Sequence, residues 1–307
     1  MKGIIKKILM FSSLVILIGA SSLQAYSVFQ AKRIETAYDE TAIDAVQKLN
    51  LNGIELAYRE YGDSGQPAIV FIHGFLGSSY DFRMLVNDFA SDYHVIAFDL
   101  VGFGHSDKPF DFTYTADRHA EIVHEALDAL GIATYHLVGH SMGARVALYH
   151  AHAHEETVLT LTLIAPAGTG SRDNNSTPPL FFYRYIFKNY ALQRLAYRDV
   201  NHQAAYRAKA YFDPFYYFTK DIPPEILQKM RLDSADIAWD RIVDTLTVST
   251  LIVTGAEDTW TPMMISEAYA DNLDNATLVR LEATGHLPMI ESPAALKEAM
   301  DDFLESN

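Results

Sequence analysis

The chain has no cysteine. That excludes a disulfide framework, thiolate metal sites, a cysteine nucleophile and the acylated cysteine of a lipoprotein. It leaves the redox compartment open, since disulfide-free proteins occur in every compartment. Positive charge is also scarce: 24 Lys and Arg face 39 Asp and Glu, for a formal net charge of −15. The first 25 residues carry three lysines and no acid, so the remainder holds 21 basic and 39 acidic residues, or −18. Such a surface repels nucleic acid and anionic lipid head groups, and neither is expected as a general partner. Internal repeats and low-complexity tracts are absent. What remains is a globular composition, 49% hydrophobic and 21% charged, over 307 residues. That length suits one large α/β domain carrying an insertion.

The N-terminus has the pattern of a secretory signal. Lys2, Lys6 and Lys7 precede an apolar run, Ile8 to Ala20, which exits through Ser21, Ser22, Leu23, Gln24 and Ala25. The run is shorter than the roughly 20 residues of a spanning helix. Cleavage after Ser22, with Ala20 two positions before it, fits better than cleavage after Ala25, where Leu23 is too large. Residues 1–25 are therefore expected to export the chain from a bacterial cytoplasm. The product is periplasmic or secreted if the segment is cut, or held in the inner membrane by residues 8–23 if it is retained. Residues 26–50 read as a polar, helix-prone connector.

From there short apolar runs alternate with longer periodic ones, the pattern of a mostly parallel sheet with crossover helices on both faces. An opening pair of strands flanks Asn52-Gly53. Buried strands are expected at 68–72, 95–98, 136–138, 159–164, 251–253 and 278–281, and helices at 80–89, 117–130, 142–152 and 294–303. Pro262 and Pro293 mark helix starts. The rhythm breaks after Ala165: a polar loop segment, Gly168 to Pro179, leads into residues 180–218, which hold 14 of the 37 aromatics. Residues 171–240 read as a helical cap inserted between core segments 51–170 and 241–307.

Gly139-His140-Ser141-Met142-Gly143 is a G-x-S-x-G motif directly after an apolar strand and directly before a helix. That turn is too tight for side chains two positions either side of the serine, and it exposes Ser141 at a helix N-terminus. A serine nucleophile needs a base oriented by an acid. The strand ending at Thr254 runs into Gly255-Ala256-Glu257-Asp258, and a later strand ends in Gly285-His286. His286 is the base and Asp258, ahead of its neighbour Glu257, the acid. The backbone N–H groups of Phe75, after His73-Gly74, and of Met142 are the candidate oxyanion donors. Asp99 is expected to pin the glycine-rich loop Asp99 to Ser106. His150, His152 and His154 are expected to face solvent at a helix end, with no metal.

These elements, in this order, resemble the α/β-hydrolase superfamily over residues 51–170 and 241–307. Within it the chain is similar to bacterial lipases and esterases and to monoacylglycerol-lipase-like enzymes. Relatives of this fold that form alkyl-ester intermediates carry aspartate where Ser141 stands, so dehalogenase and epoxide hydrolase activities are not expected. The resemblance implies a carboxylic-ester hydrolase with Ser141, His286 and Asp258 as its triad, needing no cofactor or metal and acting on a small apolar ester or lipid. Phe75, Phe181, Phe182, Phe215 and Phe218 are candidate substrate-binding residues. The N-terminal segment provides membrane association in the anchored form. Two rivals stand beside this reading: a C–C bond hydrolase using the same triad, and a ligand-binding receptor on a hydrolase scaffold.

Overall fold

The computed structural model describes residues 2–38, 46–168, 177–233 and 242–307, with 2–18 and Ile186 described by backbone alone. An eight-stranded sheet organises the chain, in the order β1-β2-β4-β3-β5-β6-β7-β8. Strands β1 (Gln47–Leu51) and β2 (Ile54–Tyr61) form a hairpin, and β2 is antiparallel to β4 (His94–Phe98). The rest are parallel: β3 (Ala68–Ile72), β5 (Tyr135–His140), β6 (Val158–Ile164), β7 (Thr250–Gly255) and β8 (Ala276–Leu281).

Two-residue periodicity divides the core. Val70, Ile72, Ile96 and Phe98 face one cluster, while Ile69, Phe71, Val95 and Ala97 face the other. The first face is covered by α3 (Ala116–Ala129) and α4 (Met142–Ala153), after the short α2 (Val86–Phe89). In α3 the buried set Ala120, Val123, Ala126 and Leu127 recurs at helical spacing. The second face is covered by Leu296, Met300 and Phe303 of the C-terminal helix, Pro293–Ser306.

Three expectations are corrected. The stretch 80–89 is not one helix but a 3₁₀ turn (Ser79–Phe82) followed by α2, because Asp99 Oδ1 holds the Ser79 N–H at 2.7 Å and fixes the turn against the sheet. Strand β8 lies at the sheet edge and is only partly buried. His150 is fully buried rather than solvent-facing: its Nδ1–H donates to Ala120 O, and its Nε2 accepts from the Tyr135 hydroxyl at 2.5 Å. His154 stacks on His124 with ring centroids 3.5 Å apart.

The insertion is helical where described. After a π-helical turn (Phe182–Phe187) come α5 (Tyr190–Val200), α6 (Lys209–Thr219) and α7 (Pro224–Asp233). Asn189 caps α5, its Oδ1 accepting from the N–H groups of Ala191 and Leu192. Residues 26–38, read as connector, belong to one continuous helix, α1 (Lys2–Tyr38), that packs on the cap. Ile34 is buried among Tyr190, Tyr197, Phe212 and Tyr216. Ser27 Oγ accepts the Tyr190 N–H at 2.8 Å, and Arg33 pairs with the buried Asp213, which also accepts from the Tyr190 hydroxyl. Among the described residues no helix is long and apolar enough to cross a membrane.

Candidate active site

Ser141 occupies the turn between β5 and α4 with φ +51° and ψ −114°, a strained conformation for a residue with a side chain. The flanking glycines follow from close packing. A Cβ on Gly143 would lie 2.3 Å from Ile72 O, and one on Gly139 would lie 2.4 Å from Gly143 O. Ser141 N–H donates to Ile164 O, which ties the strained turn to the neighbouring strand.

Two loops beyond other strands bring the partners. After β8, His286 sits with Nε2 3.0 Å from Ser141 Oγ and Nδ1 2.8 Å from Asp258 Oδ2. All three are buried or nearly so. The Nδ1–H donates to the carboxylate, so Nε2 is the free acceptor for the serine hydroxyl. Asp258, after β7, also accepts from the N–H groups of Trp260 and Thr261 and from the Thr261 hydroxyl at 2.7 Å. Burial pushes its carboxyl up, but the donations from His286 and Thr261 outweigh burial and hold it below the usual range. Glu257 points elsewhere: its Oε2 accepts the Thr284 N–H, bracing the histidine loop.

The loop after β3 abuts the serine, since a Cβ on Gly74 would lie 3.0 Å from Ser141 Cβ. Phe75 follows Gly74 and lines the cavity over Ser141, while Met142 opens α4. Asp99 is fully buried, its Oδ1 accepting from Ser79 N–H and its Oδ2 from His105 N–H.

A cavity of about 100 Å³ lies over Ser141 and His286. Leu76, Tyr197, Val200, Phe215 and Trp260 border both this cavity and an almost wholly apolar extension lined further by Phe182, Phe187 and Leu192. Of the sequence candidates, Phe75, Phe182 and Phe215 line this space. Phe181 does not: it is 59% exposed, on the outside of the cap. Phe218 does not either, because it is buried against Tyr80 and His105.

Several wall residues carry no sequence signal. Asp81 and Arg83 form the polar side of the cavity, and burial raises the Asp81 carboxyl to about 6 despite the nearby Arg83. The Trp260 ring lies nearly parallel to His286 at 6.1 Å. Buried Glu291 accepts from Gly285 N–H and Gln203 N–H, and His286 N–H donates to Val200 O, so cap and histidine loop are bonded together.

The α/β hydrolase fold family model matches residues 67–293. Lipase 3 of Moraxella sp. is 28% identical over 84% of this chain and 83% of its own length. A 2-hydroxy-6-oxo-6-(2'-aminophenyl)hexa-2,4-dienoic acid hydrolase of Metapseudomonas resinovorans is also 28% identical, over 89% of this chain and 93% of its own. Among solved structures, a membrane phospholipase A described as a bacterial virulence factor superposes with a TM-score of 0.74 at 24% identity, covering 98% of each chain.

Proposed function

The chain belongs to the α/β-hydrolase fold family, and from that membership we propose that it is a serine carboxylic-ester hydrolase of the lipase or esterase kind. The observation that carries this reading is the hydrogen-bonded line from Ser141 Oγ through His286 to Asp258, at the floor of a largely apolar cavity. His286 Nε2 takes the serine proton as Oγ attacks the ester carbonyl, and Asp258 stabilises the imidazolium. The N–H groups of Phe75 and Met142 hold the oxyanion, the latter aided by the α4 N-terminus. The alcohol leaves with the proton from His286. A water deprotonated by the same nitrogen then cleaves the acyl-enzyme, releasing the acid and restoring Ser141.

The apolar extension supports acyl chains of medium or greater length, as in lipid monoesters. Each buried CH₂ is worth about 0.8 kcal/mol, roughly fourfold in kcat/KM if fully expressed in the transition state. Activity therefore climbs from acetyl to longer esters until the extension is full. A profile that peaks at acetyl would defeat this assignment. An alkyl fluorophosphonate labels the wild type once and Ser141→Ala not at all; labelling elsewhere would remove Ser141 from its role.

The relative that hydrolyses a dienoic acid keeps a second reading in play, cleavage of a C–C bond beside a carbonyl by the same residues. Ester and dienone substrates assayed side by side separate the two. Export is the accompanying proposal, supported by the basic head and apolar run at residues 2–20. Fractionation with intact mass tests it, and soluble full-length chain in the cytoplasm would refute it.

A further inference from the structure

A basic groove lies on the outer face of the cap, beside α1. Tyr26 of α1 and Tyr190 form part of its wall, and Arg194, Arg198 and Arg207 supply its charge. Arg194 and Arg198 are one helical turn apart on α5, so both present to the same side. Arg207 reaches back to donate to Asn201 O and His202 O, which fixes its position without neutralising it. None of the three takes part in an ion pair among the described residues, and no acid lines the groove. The buried carboxylate of Asp213 on α6 is already held by Arg33 and Tyr190. In a chain of net charge −15, three uncompensated guanidinium groups on one face are a local reversal of sign.

Exposed apolar side chains lie on the same two helices, α1 and α5. Val28 and Phe29 on α1 are 60% and 64% exposed, and Leu195 between the arginines is 57% exposed. Because α1 is one continuous helix from Lys2 to Tyr38, the groove also has a defined distance from the apolar run. Tyr26 lies six residues beyond Ala20, about 9 Å along the axis at 1.5 Å per residue. The headgroup layer on each side of a bilayer's hydrocarbon core is about 5–8 Å thick. A lipid surface entered by the apolar run would meet Tyr26, and with it the groove it borders, at the outer edge of the head-group layer.

We propose that the Arg194–Arg198–Arg207 groove, with Leu195 in its lining, is a docking surface for anionic lipid head groups that seats the cap on a membrane. Charge complementarity selects phosphate-bearing lipid. Tyr26, Val28 and Phe29 all follow Ala25, so a cut after Ser22 or Ala25 leaves the surface whole. Whole-molecule charge repels such a membrane at long range, but it is screened beyond about 8 Å at physiological salt, whereas the groove acts at contact.

The absence of cysteine makes the test clean. Full-length protein carrying Leu195→Cys is labelled with an environment-sensitive nitrobenzoxadiazole dye and reconstituted in vesicles of phosphatidylcholine alone or with 30% phosphatidylglycerol. The dye blue-shifts in the anionic vesicles, and the shift is lost with Arg194→Glu/Arg198→Glu and in about 0.5 M salt. Each arginine near an anionic surface is worth about fivefold in association, so the double neutral variant Arg194→Gln/Arg198→Gln weakens the phosphatidylglycerol dependence by more than tenfold. A dye at Leu159→Cys, at the opposite end of the sheet, reports no lipid contact. A blue shift of equal size in neutral vesicles, or one that survives both charge variants and salt, would overturn the proposal, as would the absence of any shift.

Discussion

Lowering the pH from 7 to 5 tests how the buried histidines contribute to stability. His119, His140 and His150 are all buried, and burial lowers them to about 3, 3 and 4 respectively. In the unfolded chain each titrates near 6.5. Their folded values are depressed, so the unfolded state takes up protons first. The stability they permit above about 6.5 is lost as the pH falls from there toward 4. Between pH 7 and 5 each histidine costs about 2 kcal/mol, at 1.36 kcal/mol per unit, and the three together cost about 6 kcal/mol. Asp81 works against this. Its folded value is raised to about 6, so the native state gains a proton over the same interval, offsetting about 1 kcal/mol. Glu291, raised by burial, acts in the same direction. A net loss of about 4–5 kcal/mol is a large part of the 5–15 kcal/mol that holds a typical domain together. Urea unfolding at pH 7, 6 and 5 measures the loss directly. His119→Asn and His150→Asn should each reduce the pH dependence by about 2 kcal/mol, whatever they do to stability at pH 7. A wild-type loss below about 1 kcal/mol, or a slope indifferent to these replacements, would refute the reasoning.

Asp258→Asn should lower kcat by about 10⁴, while Glu257→Gln, which keeps an acceptor for Thr284 N–H, should cost far less; the reverse order would exchange their roles. Thr261→Val removes the hydroxyl donated to Asp258 Oδ2. A hydrogen bond to a charged group is worth about 1.5–3 kcal/mol, so kcat should fall about 10- to 100-fold with KM little changed. Ile34→Ala should cost about 2–5 kcal/mol where α1 meets the cap and speed proteolytic cleavage within residues 177–233, read by mass spectrometry; an unchanged cleavage rate would mean the helix does not support the cap.

The sheet and the loops carrying Ser141, His286 and Asp258 were legible because their signals are local. A glycine two residues from a serine, or a histidine just past a strand, needs no knowledge of the rest of the chain. Thr261 was not legible, because a threonine after a tryptophan carries no mark until the loop curls back on Asp258. The cap aromatics show the same limit. Phe181 and Phe182 are adjacent and chemically identical, yet one faces solvent and the other the apolar extension. That difference is set by the π-helical turn between Phe182 and Phe187, which period-counting cannot foresee. On α1 the docking face did have a signal, Ser27, Gln30 and Ile34 at helical spacing. Two of those three are polar, and the stripe read as connector. His150 was misread for a similar reason: its partners, Ala120 O and the Tyr135 hydroxyl, come from other elements.

The bonds joining Val200 and Gln203 to the His286 loop limit how this hydrolase can be recombined. An insertion that only roofed a cavity could be exchanged between relatives as a cassette. Here the cassette would carry away the carbonyl that holds His286 N–H and the donor that occupies Glu291. The core left behind would keep a buried carboxylate short of a partner beside His286. A working chimera has to inherit 200–203 together with 283–291, two stretches that are distant in sequence and belong to one assembly.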